Sequence, residues 1–331
     1  MKAIVLKTFG GPEALTLMEI PKPEPGPDDI LIRVMATALN RADLLERQGH
    51  YPPPGKAPVH QVPGLECAGI VDAVGDRVTL FSPGDSVMAL LPGGGYAEYA
   101  VIHERLAMPV PKGLPVQEAA AIPEVFLTAF DALYNQGGAH PGYRVLVHAG
   151  ASGVGSAAIQ LAHQVAMPVM TTVGSQLKVE AVRAFGADRV VNYRQEGFLD
   201  AVQAWTQGKG VDAILDFVGQ AYLQDNLKAL AADGTLVLIG ALSGYEAHIN
   251  LGVVQARRLK IHGTALRSRA FEKKVALVQQ FIKEAIPLFE SGRVKPVIDR
   301  VYPLRDIADA HRYMESNQNI GKILIEVSQD A

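Results

Sequence analysis

The fold is decided by the stretch Val145-Leu-Val-His-Ala-Gly-Ala-Ser-Gly-Val-Gly-Ser-Ala-Ala-Ile-Gln-Leu-Ala162. A short apolar run ends there in a glycine-rich turn and continues directly into residues with helical periodicity. Gly150, Gly153 and Gly155 lack a Cβ, so the backbone can turn sharply and approach a diphosphate closely. The free N–H groups and the dipole of the following helix would face that anion. Because a glycine fingerprint alone is weak evidence, the surrounding sequence must support it.

The surrounding sequence alternates regularly between strand-like and helix-like segments. The pattern predicts strands over 144–148, 169–173, 189–192, 211–217, 235–240 and 259–265, and helices over 152–166, 176–185, 198–207 and 221–231. Six strands joined by helical crossovers are typical of a doubly wound parallel sheet. The sequence therefore predicts an α/β chain with a Rossmann dinucleotide-binding domain over residues 123–265.

The segments on either side of this domain have a different pattern. Residues 1–122 contain short β-like runs separated by proline and glycine turns, which predicts a compact antiparallel barrel or sandwich. The tail predicts a long helix over 271–289, a β-like segment over 294–301, a short helix over 304–314 and a final strand over 322–327. These elements are too few for a third core, so we expect the tail to complete the first domain.

Composition excludes several classes of protein. The chain has 331 residues, 48% apolar and 20% charged, with a formal net charge of -3. Nucleic acid and anionic membranes are therefore not expected partners. Without a signal peptide or a run of about 20 apolar residues, we expect a cytoplasmic protein. The single cysteine, Cys67, excludes an internal disulfide and a multi-cysteine zinc site; a small core residue is the favoured interpretation, with a reactive thiol as the alternative.

The turn after the second strand of the Rossmann domain selects the nicotinamide cofactor. A carboxylate there would bind the ribose diol of NAD, but the turn reads Gly174-Ser-Gln-Leu-Lys178 and contains no acid. Ser175 can donate to a 2′-phosphate, Lys178 can meet its charge, and Tyr193 after the third strand can add a hydroxyl. The turn therefore favours NADPH over NADH. The alternative is that Lys178 is only a solvated charge.

Several motifs together resemble one family. They are Asn40-Arg-Ala-Asp43, Gln48-Gly-His-Tyr51, Pro63-Gly-Leu-Glu-Cys-Ala-Gly69, Leu91-Pro-Gly-Gly-Gly-Tyr-Ala-Glu-Tyr99, Leu127-Thr-Ala-Phe130, His148-Ala-Gly-Ala-Ser-Gly-Val-Gly155 and Asn319-Ile-Gly-Lys-Ile323. Across essentially its whole length the chain resembles the medium-chain dehydrogenase/reductase superfamily, in particular its zinc-free quinone oxidoreductase (zeta-crystallin-like) branch. Leu266-Arg-Ser-Arg269 adds a likeness to the tumour-suppressor-inducible NADPH quinone oxidoreductases of that branch.

The resemblance implies a GroES-like antiparallel β-barrel substrate domain over 1–122 and 266–331, together with the Rossmann domain. It also implies a homodimer, which pairing of the last strand of each sheet would form. By the same resemblance the cofactor is bound by Thr128 on the nicotinamide side, by Gly150, Ser152, Gly153 and Val154 at the diphosphate, by Gly219 at the adenosine and ribose, and by Leu266 and Arg267 near the nicotinamide.

The first domain lacks the zinc ligands of metal-dependent relatives. Those relatives have a cysteine near position 40 and Gly-His-Glu near 65, where this chain has Asn40 and Gly64-Leu-Glu66. Three ligands with an open fourth position cannot be assembled from these residues, so no metal is expected. Reduction of an activated small-molecule acceptor, a quinone or an enone, then fits better than oxidation of an alcohol.

Tyr51 and Asn40 are the predicted catalytic residues. By the resemblance, the loop of Tyr51 covers the nicotinamide side, and its hydroxyl could protonate the reduced acceptor; alternatively Tyr51 packs on the cofactor and donates nothing. Asn40 could orient the cofactor amide or the acceptor, or could be a turn or capping residue.

Two other functions remain open. An enoyl-thioester or alkenal reductase would use the same domains and would require Tyr51 as proton donor. A crystallin-like or RNA-binding protein with vestigial catalysis is the non-enzymatic alternative, although Arg257, Arg258 and Lys260 are the nearest approach to a basic cluster.

Overall fold

The structure is a computed structural model that describes residues 1–53, 55 and 59–327. The strands are β1 (Lys2–Leu6), β2 (Leu15–Glu19), β3 (Asp29–Ala38), β4 (Glu66–Val74), β5 (Ser86–Leu90), β6 (Tyr99–His103), β7 (Ala107–Pro109), β8 (Val145–Val147), β9 (Val169–Val173), β10 (Arg189–Asn192), β11 (Val211–Asp216), β12 (Leu230–Leu238), β13 (Lys260–Gly263), β14 (Ile298–Pro303) and β15 (Lys322–Glu326).

The helices follow the same chain order. They are α1 (Arg41–Arg47), α2 (Val116–Ala119), α3 (Pro123–Phe130), α4 (Gly153–Gln164), α5 (Gln176–Ala184), α6 (Phe198–Thr206), α7 (Leu223–Ala229), α8 (Leu251–Arg257), α9 (Phe271–Glu284), α10 (Ile286–Glu290) and α11 (Ile307–Glu315). Short 3-10 helices cover Pro12–Ala14, Glu104–Leu106 and Leu304–Asp306, and a π-helical stretch covers Asp131–Gln136.

The chain divides into two compact units. The first unit comprises Met1–Leu127 and Arg267–Ala331, and the second comprises Thr128–Leu266. The first division falls inside α3, five residues after the boundary that the change of sequence pattern suggested at 122. Because this boundary lies inside a helix, no change in amino-acid composition marks it in the sequence.

The second unit is a doubly wound sheet, which confirms the predicted Rossmann class. Its strands run parallel in the order β10-β9-β8-β11-β12-β13. The buried strands β8 and β9 are continuous apolar or threonine-containing runs, as expected when helices cover both faces. The order of strands reverses at β8 and β11, so the carboxyl ends of these two strands mark the point where such sheets bind ligands.

The first unit contains the GroES-like sheet, in the order β14-β15-β3-β4-β5-β7 with β6 also paired to β3. Its pairs are antiparallel except for the parallel pair β14–β15. The tail joins this unit because β15 pairs with β3, Leu324 lying opposite Ala38. Ile4, Ile32 and Ile325 lie in its buried apolar core.

Helices α8, α9 and α10 depart from the sequence prediction, as do α1, α2 and α3, which it does not include. The single helix predicted over 271–289 is wrong: α9 ends at Glu284 and α10 begins at Ile286. Pro287 lacks an N–H donor and its ring would clash with the carbonyl four residues earlier, so one continuous helix is unfavourable. Helix α8 was not predicted, because its residues are exposed or half-buried and show no apolar periodicity. Among the described residues, no helix is long and apolar enough to cross a membrane.

Candidate functional site

The glycine-rich turn of the second unit forms the start of α4. Ser152 precedes the helix, and its Oγ accepts a hydrogen bond from the Gly155 N–H at 3.0 Å. The first N–H groups of a helix have no acceptor within the helix, which applies here to Gly153 and Val154. Both residues are half-buried. The turn therefore presents backbone donors and the positive end of a helix to an anion.

The glycines are needed for close contacts rather than for the sharp turn. A Cβ on Gly150 would lie 1.9 Å from Thr171 Oγ1, and one on Gly155 would lie 2.3 Å from the Ala149 carbonyl oxygen. The left-handed residue of the turn is Ala149, with φ 51°. The expected role of Gly150 and Gly155 in the backbone reversal is therefore corrected: these positions exclude a side chain because neighbouring atoms fill its place.

The residues predicted to select NADPH lie together at the ends of β9 and β10. Ser175 caps α5, and its Oγ accepts a hydrogen bond from the Lys178 N–H at 3.4 Å. A Cβ on Gly174 would lie 2.3 Å from the Tyr193 hydroxyl. Tyr193 is 49% exposed. The acid-free turn and the tyrosine therefore share one rim at the carboxyl edge of the sheet.

Gly219 follows β11, on the other side of the point where the strand order reverses. It has φ 82° and donates its N–H to both oxygens of Asp216 at 3.2 Å. Val218 also donates to Asp216, at 2.7 Å. Burial raises the pKa of Asp216, while these backbone donors oppose the rise. The carboxylate holds the loop of Gly219 in place.

His148 links this loop to the glycine-rich turn. Asn226 donates through Nδ2 to Asp216 at 3.1 Å, so its Oδ1 accepts from His148 Nε2 at 2.7 Å. His148 Nδ1 then accepts from the Thr172 hydroxyl at 3.1 Å. Burial lowers the pKa of His148 to about 4, so the ring is neutral near pH 7. The residues at the ends of β8, β9 and β11 thus form one hydrogen-bonded support.

Two other residues that are predicted to bind the cofactor, Thr128 and Leu266, are the first and last residues of the second unit. Thr128 is buried in α3, and Leu266 is half-buried beyond β13. Their contact with the nicotinamide stays a prediction.

In the first unit, Lys322 is the centre of a buried polar cluster. Its Nζ donates to the Leu39 carbonyl and to Asn40 Oδ1 at 2.6 Å each, and to Glu66 Oε1 at 2.8 Å. The side chains of Lys322 and Glu66 are 4% and 0% exposed. Asn40 Nδ2 also donates to Glu66 Oε1, at 2.8 Å. The amide of Asn40 therefore bridges the buried ammonium group of Lys322 and the buried carboxylate of Glu66.

Asn40 occupies the first position before α1, but its amide belongs to this cluster. Its backbone N–H donates to Asp43 Oδ2 at 2.7 Å. Asn40 is 5% exposed, and its amide oxygen already accepts from Lys322. A direct contact of Asn40 with an acceptor stays a prediction; the structure shows it bridging buried charges. Burial raises the pKa of Asp43 to about 7.

Glu124 is a candidate functional residue that the sequence analysis missed. Its N–H donates to Glu66 Oε2 at 2.8 Å, which attaches the start of α3 to the cluster. The Glu124 side chain is half-buried, and its carboxyl oxygens accept no hydrogen bond from the described residues. Burial raises its pKa to about 7, against the opposing effect of Lys322. In the sequence it is only an acidic residue after a proline, which is typical of any helix start.

Tyr51 is half-buried and contacts Arg267, which the resemblance had assigned to the cofactor. Arg267 Nη1 donates to the Tyr51 carbonyl at 3.1 Å, and the guanidinium carbon lies 4.9 Å from the centre of the Tyr51 ring. Burial raises the pKa of Tyr51, and the positive charge of Arg267 opposes that rise. The structure gives Arg267 partners within the first unit; its contact with the cofactor stays a prediction.

No group of three or more His, Cys, Asp or Glu residues in the described ranges is placed to hold a metal ion. Cys67 is fully buried in β4, and burial raises the pKa of its thiol to about 12. The thiolate is therefore disfavoured, in agreement with a core residue.

Comparison with known proteins links both units to one superfamily. A family model described as "Alcohol dehydrogenase GroES-like domain" matches residues 26–112, and one described as "Zinc-binding dehydrogenase" matches residues 185–325. The quinone oxidoreductase of Rattus norvegicus is 34% identical over 328 residues, which cover 98% of this chain and 97% of the relative.

Solved structures are similar over nearly the whole chain. The Escherichia coli quinone oxidoreductase complexed with NADPH has 29% identity and a TM-score of 0.90, covering 99% of this chain and 100% of the other. An NAD-dependent alcohol dehydrogenase has 36% identity and a TM-score of 0.85, covering 99% and 100%. The JamJ enoyl reductase has 28% identity and a TM-score of 0.89, covering 99% of each chain.

Proposed function

Because the chain belongs to the quinone oxidoreductase branch of the medium-chain dehydrogenase/reductase superfamily, we propose that it is an NADPH-dependent, zinc-independent reductase of quinones. The observation that carries the proposal is the carboxyl edge of the second unit. There the open start of α4 lies beside an acid-free turn that ends in Lys178.

The residues of the second unit fit the diphosphate and the 2′-phosphate of NADPH. Gly150 lets the turn pack against Thr171, because a Cβ there would clash with that side chain. Ser152, Gly153 and Val154 would hold the diphosphate through the start of α4. Ser175, Lys178 and Tyr193 would hold the 2′-phosphate, since a hydroxyl and an ammonium group can bind an oxyanion and a carboxylate would repel it.

Gly219, Thr128 and Leu266 complete the proposed cofactor set. We assign Gly219 to the adenosine and ribose because Asp216 holds its loop beside the strand reversal. Thr128 and Leu266 are assigned to the nicotinamide side on the resemblance alone.

The first unit supplies the residues of the acceptor site in this proposal. When bound, the nicotinamide supplies a hydride, which a quinone accepts without a Lewis acid. Tyr51 orients the acceptor and can move a proton from its Oη, and the cluster of Asn40, Glu66 and Lys322 supports this part of the unit. Asn40 and Leu65 stand where zinc-dependent relatives have ligands, and the ammonium group of Lys322 already binds Asn40 Oδ1. The donor set therefore favours a reaction without zinc.

We also propose a homodimer. Strand β13 forms one edge of the second unit's sheet, and an unpaired edge favours pairing with another chain. Tyr245 is 83% exposed and Leu251 is 70% exposed near this edge in the sequence. We propose that an isologous pairing of β13 with its copy also places these two exposed side chains in the interface.

Fluorescence titration with NADPH and with NADH, followed by a panel of quinones and enones, tests the proposal. We expect tighter binding of NADPH and consumption of NADPH with quinones. Binding of NADPH without reduction of any acceptor in the panel would contradict the enzymatic function, and tighter binding of NADH would contradict the assigned cofactor.

An enoyl-thioester or alkenal reductase is the second candidate, favoured by the similarity to the JamJ enoyl reductase. Tyr51→Phe separates the two. A fall of only a few-fold in quinone reduction agrees with the first, because a reduced quinone can take its proton from solvent. Loss of several orders of magnitude with an enoyl thioester would support the second, since the enolate must be protonated at carbon. The RNA-binding alternative is weakened because Arg258 pairs with Asp233 at 2.7 Å and Arg257 donates to the Leu227 carbonyl.

A further inference from the structure

Arg267 is buried, and its guanidinium makes two hydrogen bonds and one ion pair within the first unit. Nε donates to the Pro92 carbonyl at 2.8 Å, Nη1 donates to the Tyr51 carbonyl at 3.1 Å, and Nη2 lies 2.8 Å from Glu46 Oε2. The side chains of Arg267 and Glu46 are 6% and 1% exposed. Each of the three guanidinium nitrogens therefore lies close to an oxygen atom of the first unit, and little of the side chain is open to a ligand.

The same guanidinium contacts the ring of Tyr51. Its carbon lies 4.9 Å from the ring centre, within the range of a cation–π interaction. Arg267 therefore contacts both the backbone and the side chain of Tyr51. Because a guanidinium is planar and rigid, contacts on two of its sides restrict the backbone and the ring together.

Glu46 anchors this arrangement to α1. Its Oε2 pairs with Arg267, and its Oε1 accepts from Gln61 Nε2 at 3.1 Å. One carboxylate oxygen of Glu46 is thus hydrogen-bonded and the other is ion-paired, in a side chain that is 1% exposed. Arg267 therefore joins three separate segments of the chain, which contain Pro92, Tyr51 and α1. Gln61 is attached to them through Glu46.

We propose that Arg267 is a positioning residue for Tyr51, fixing its ring for the acceptor, and that its side chain does not bind the cofactor. The inference deepens the proposed function and rests on it for the identity of the reaction. It does not depend on whether Tyr51 donates a proton.

The charge of Arg267 also favours proton transfer if Tyr51 does donate. The Oη–H bond of Tyr51 would break and an O–H bond would form on the quinone oxygen, after the quinone has received a hydride from the nicotinamide. Solvent then reprotonates the phenolate. Besides Arg267, the charged groups that act on Tyr51 are Glu124, Asp43 and Glu46. These three acidic groups disfavour a phenolate at Tyr51, whereas the positive charge of Arg267 stabilises it.

The test labels the protein with 3-fluorotyrosine and follows Tyr51 by 19F NMR. The chain has ten tyrosines, and Tyr51→Phe assigns the signal. Arg267→Met removes the guanidinium. Arg105→Met is the matched control, because Arg105 also pairs with a carboxylate, Glu272, and lies 5.5 Å from an aromatic ring, but on an exposed surface.

We expect Arg267→Met to shift or broaden the Tyr51 signal and to lower kcat/KM for quinones about 10- to 100-fold, since small displacements of a positioned group have effects of this size. The Kd of NADPH, measured by fluorescence, should stay within about 2-fold. Arg105→Met should change none of the three.

An unchanged Tyr51 signal in Arg267→Met would overturn the positioning role, and a Kd of NADPH raised tenfold or more would show that Arg267 binds the cofactor. If Arg267→Met fails to fold because Glu46 is left unpaired, two other variants replace it. Glu46→Gln/Arg267→Met removes the unpaired charge, and Arg267→Lys keeps a cation. The Tyr51 signal and the Kd of NADPH then decide in the same way. If the unmodified protein reduces no quinone, the proposed function fails, while the 19F signal still decides whether Arg267 positions Tyr51.

Discussion

Replacing Lys322 by methionine should strongly destabilise the first unit. The variant keeps most of the side-chain volume but leaves the Glu66 carboxylate, which is 0% exposed, without its cation. It also removes the hydrogen bonds to Asn40 Oδ1 and to the Leu39 carbonyl. Removing one partner of a buried ion pair costs about 3–5 kcal/mol. For a unit of this size, about 2–4 °C of Tm corresponds to each kcal/mol, so we expect a fall of roughly 6–20 °C.

The measurement is calorimetric unfolding at pH 7, with the single variant Glu66→Gln and two further variants. Lys322→Met/Glu66→Gln removes both charges, and replacing both members of a buried pair is often close to neutral, so it should recover at least half of the loss. Lys22→Met is the control, since the Lys22–Asp72 pair of the same unit is 2.7 Å long but partly exposed, and such pairs contribute about 0–1 kcal/mol. The reasoning is refuted if Lys322→Met costs less than about 1 kcal/mol, or if the double variant is as unstable as the two single losses added together.

Three further predictions concern the cofactor, the pH dependence of stability and the dimer. Lys178→Ala should weaken NADPH binding about 10- to 100-fold and NADH binding little, because one charge-assisted hydrogen bond is lost; equal losses for the two cofactors in fluorescence titration would contradict the 2′-phosphate assignment. Burial raises the pKa of Glu124 from 4.5 to about 7, so the folded state keeps a proton that the unfolded chain loses, and stability falls as pH rises through this window. In urea titrations, Glu124→Gln should therefore raise the free energy of unfolding by about 1–3 kcal/mol at pH 8 and leave it unchanged at pH 4. Glu118→Gln, at an exposed site, is the control and should leave the free energy of unfolding unchanged at both pH values. Tyr245→Lys/Leu251→Lys should shift the mass found by light scattering from dimer to monomer; an unmodified protein that is monomeric at all concentrations would refute the pairing of β13.

The polar cluster of the first unit shows what local sequence cannot predict. Lys322 lies in a motif that the resemblance identified, yet its partners Asn40 and Glu66 are 282 and 256 residues away. Pairing of β15 with β3 and of β3 with β4 brings these segments together. Glu124 joins the cluster through its backbone, a contact that leaves no signature in the residue types around it.

The sequence by itself determined the parts that depend on local backbone structure. The alternation of strand-like and helix-like segments predicts the parallel strands and helices of the second unit, and the glycine-rich turn predicts the open start of α4, because each signal lies within a few residues. The cofactor preference inferred from the acid-free turn at Lys178 stays a prediction. Only the tertiary structure decided that Ala149 takes the left-handed conformation, that Asn40 bridges buried charges, and that Arg267 holds Tyr51. The roles of Asn40 and Arg267 depend on contacts across large sequence separations, where the partner, and not the residue type, determines what a side chain does.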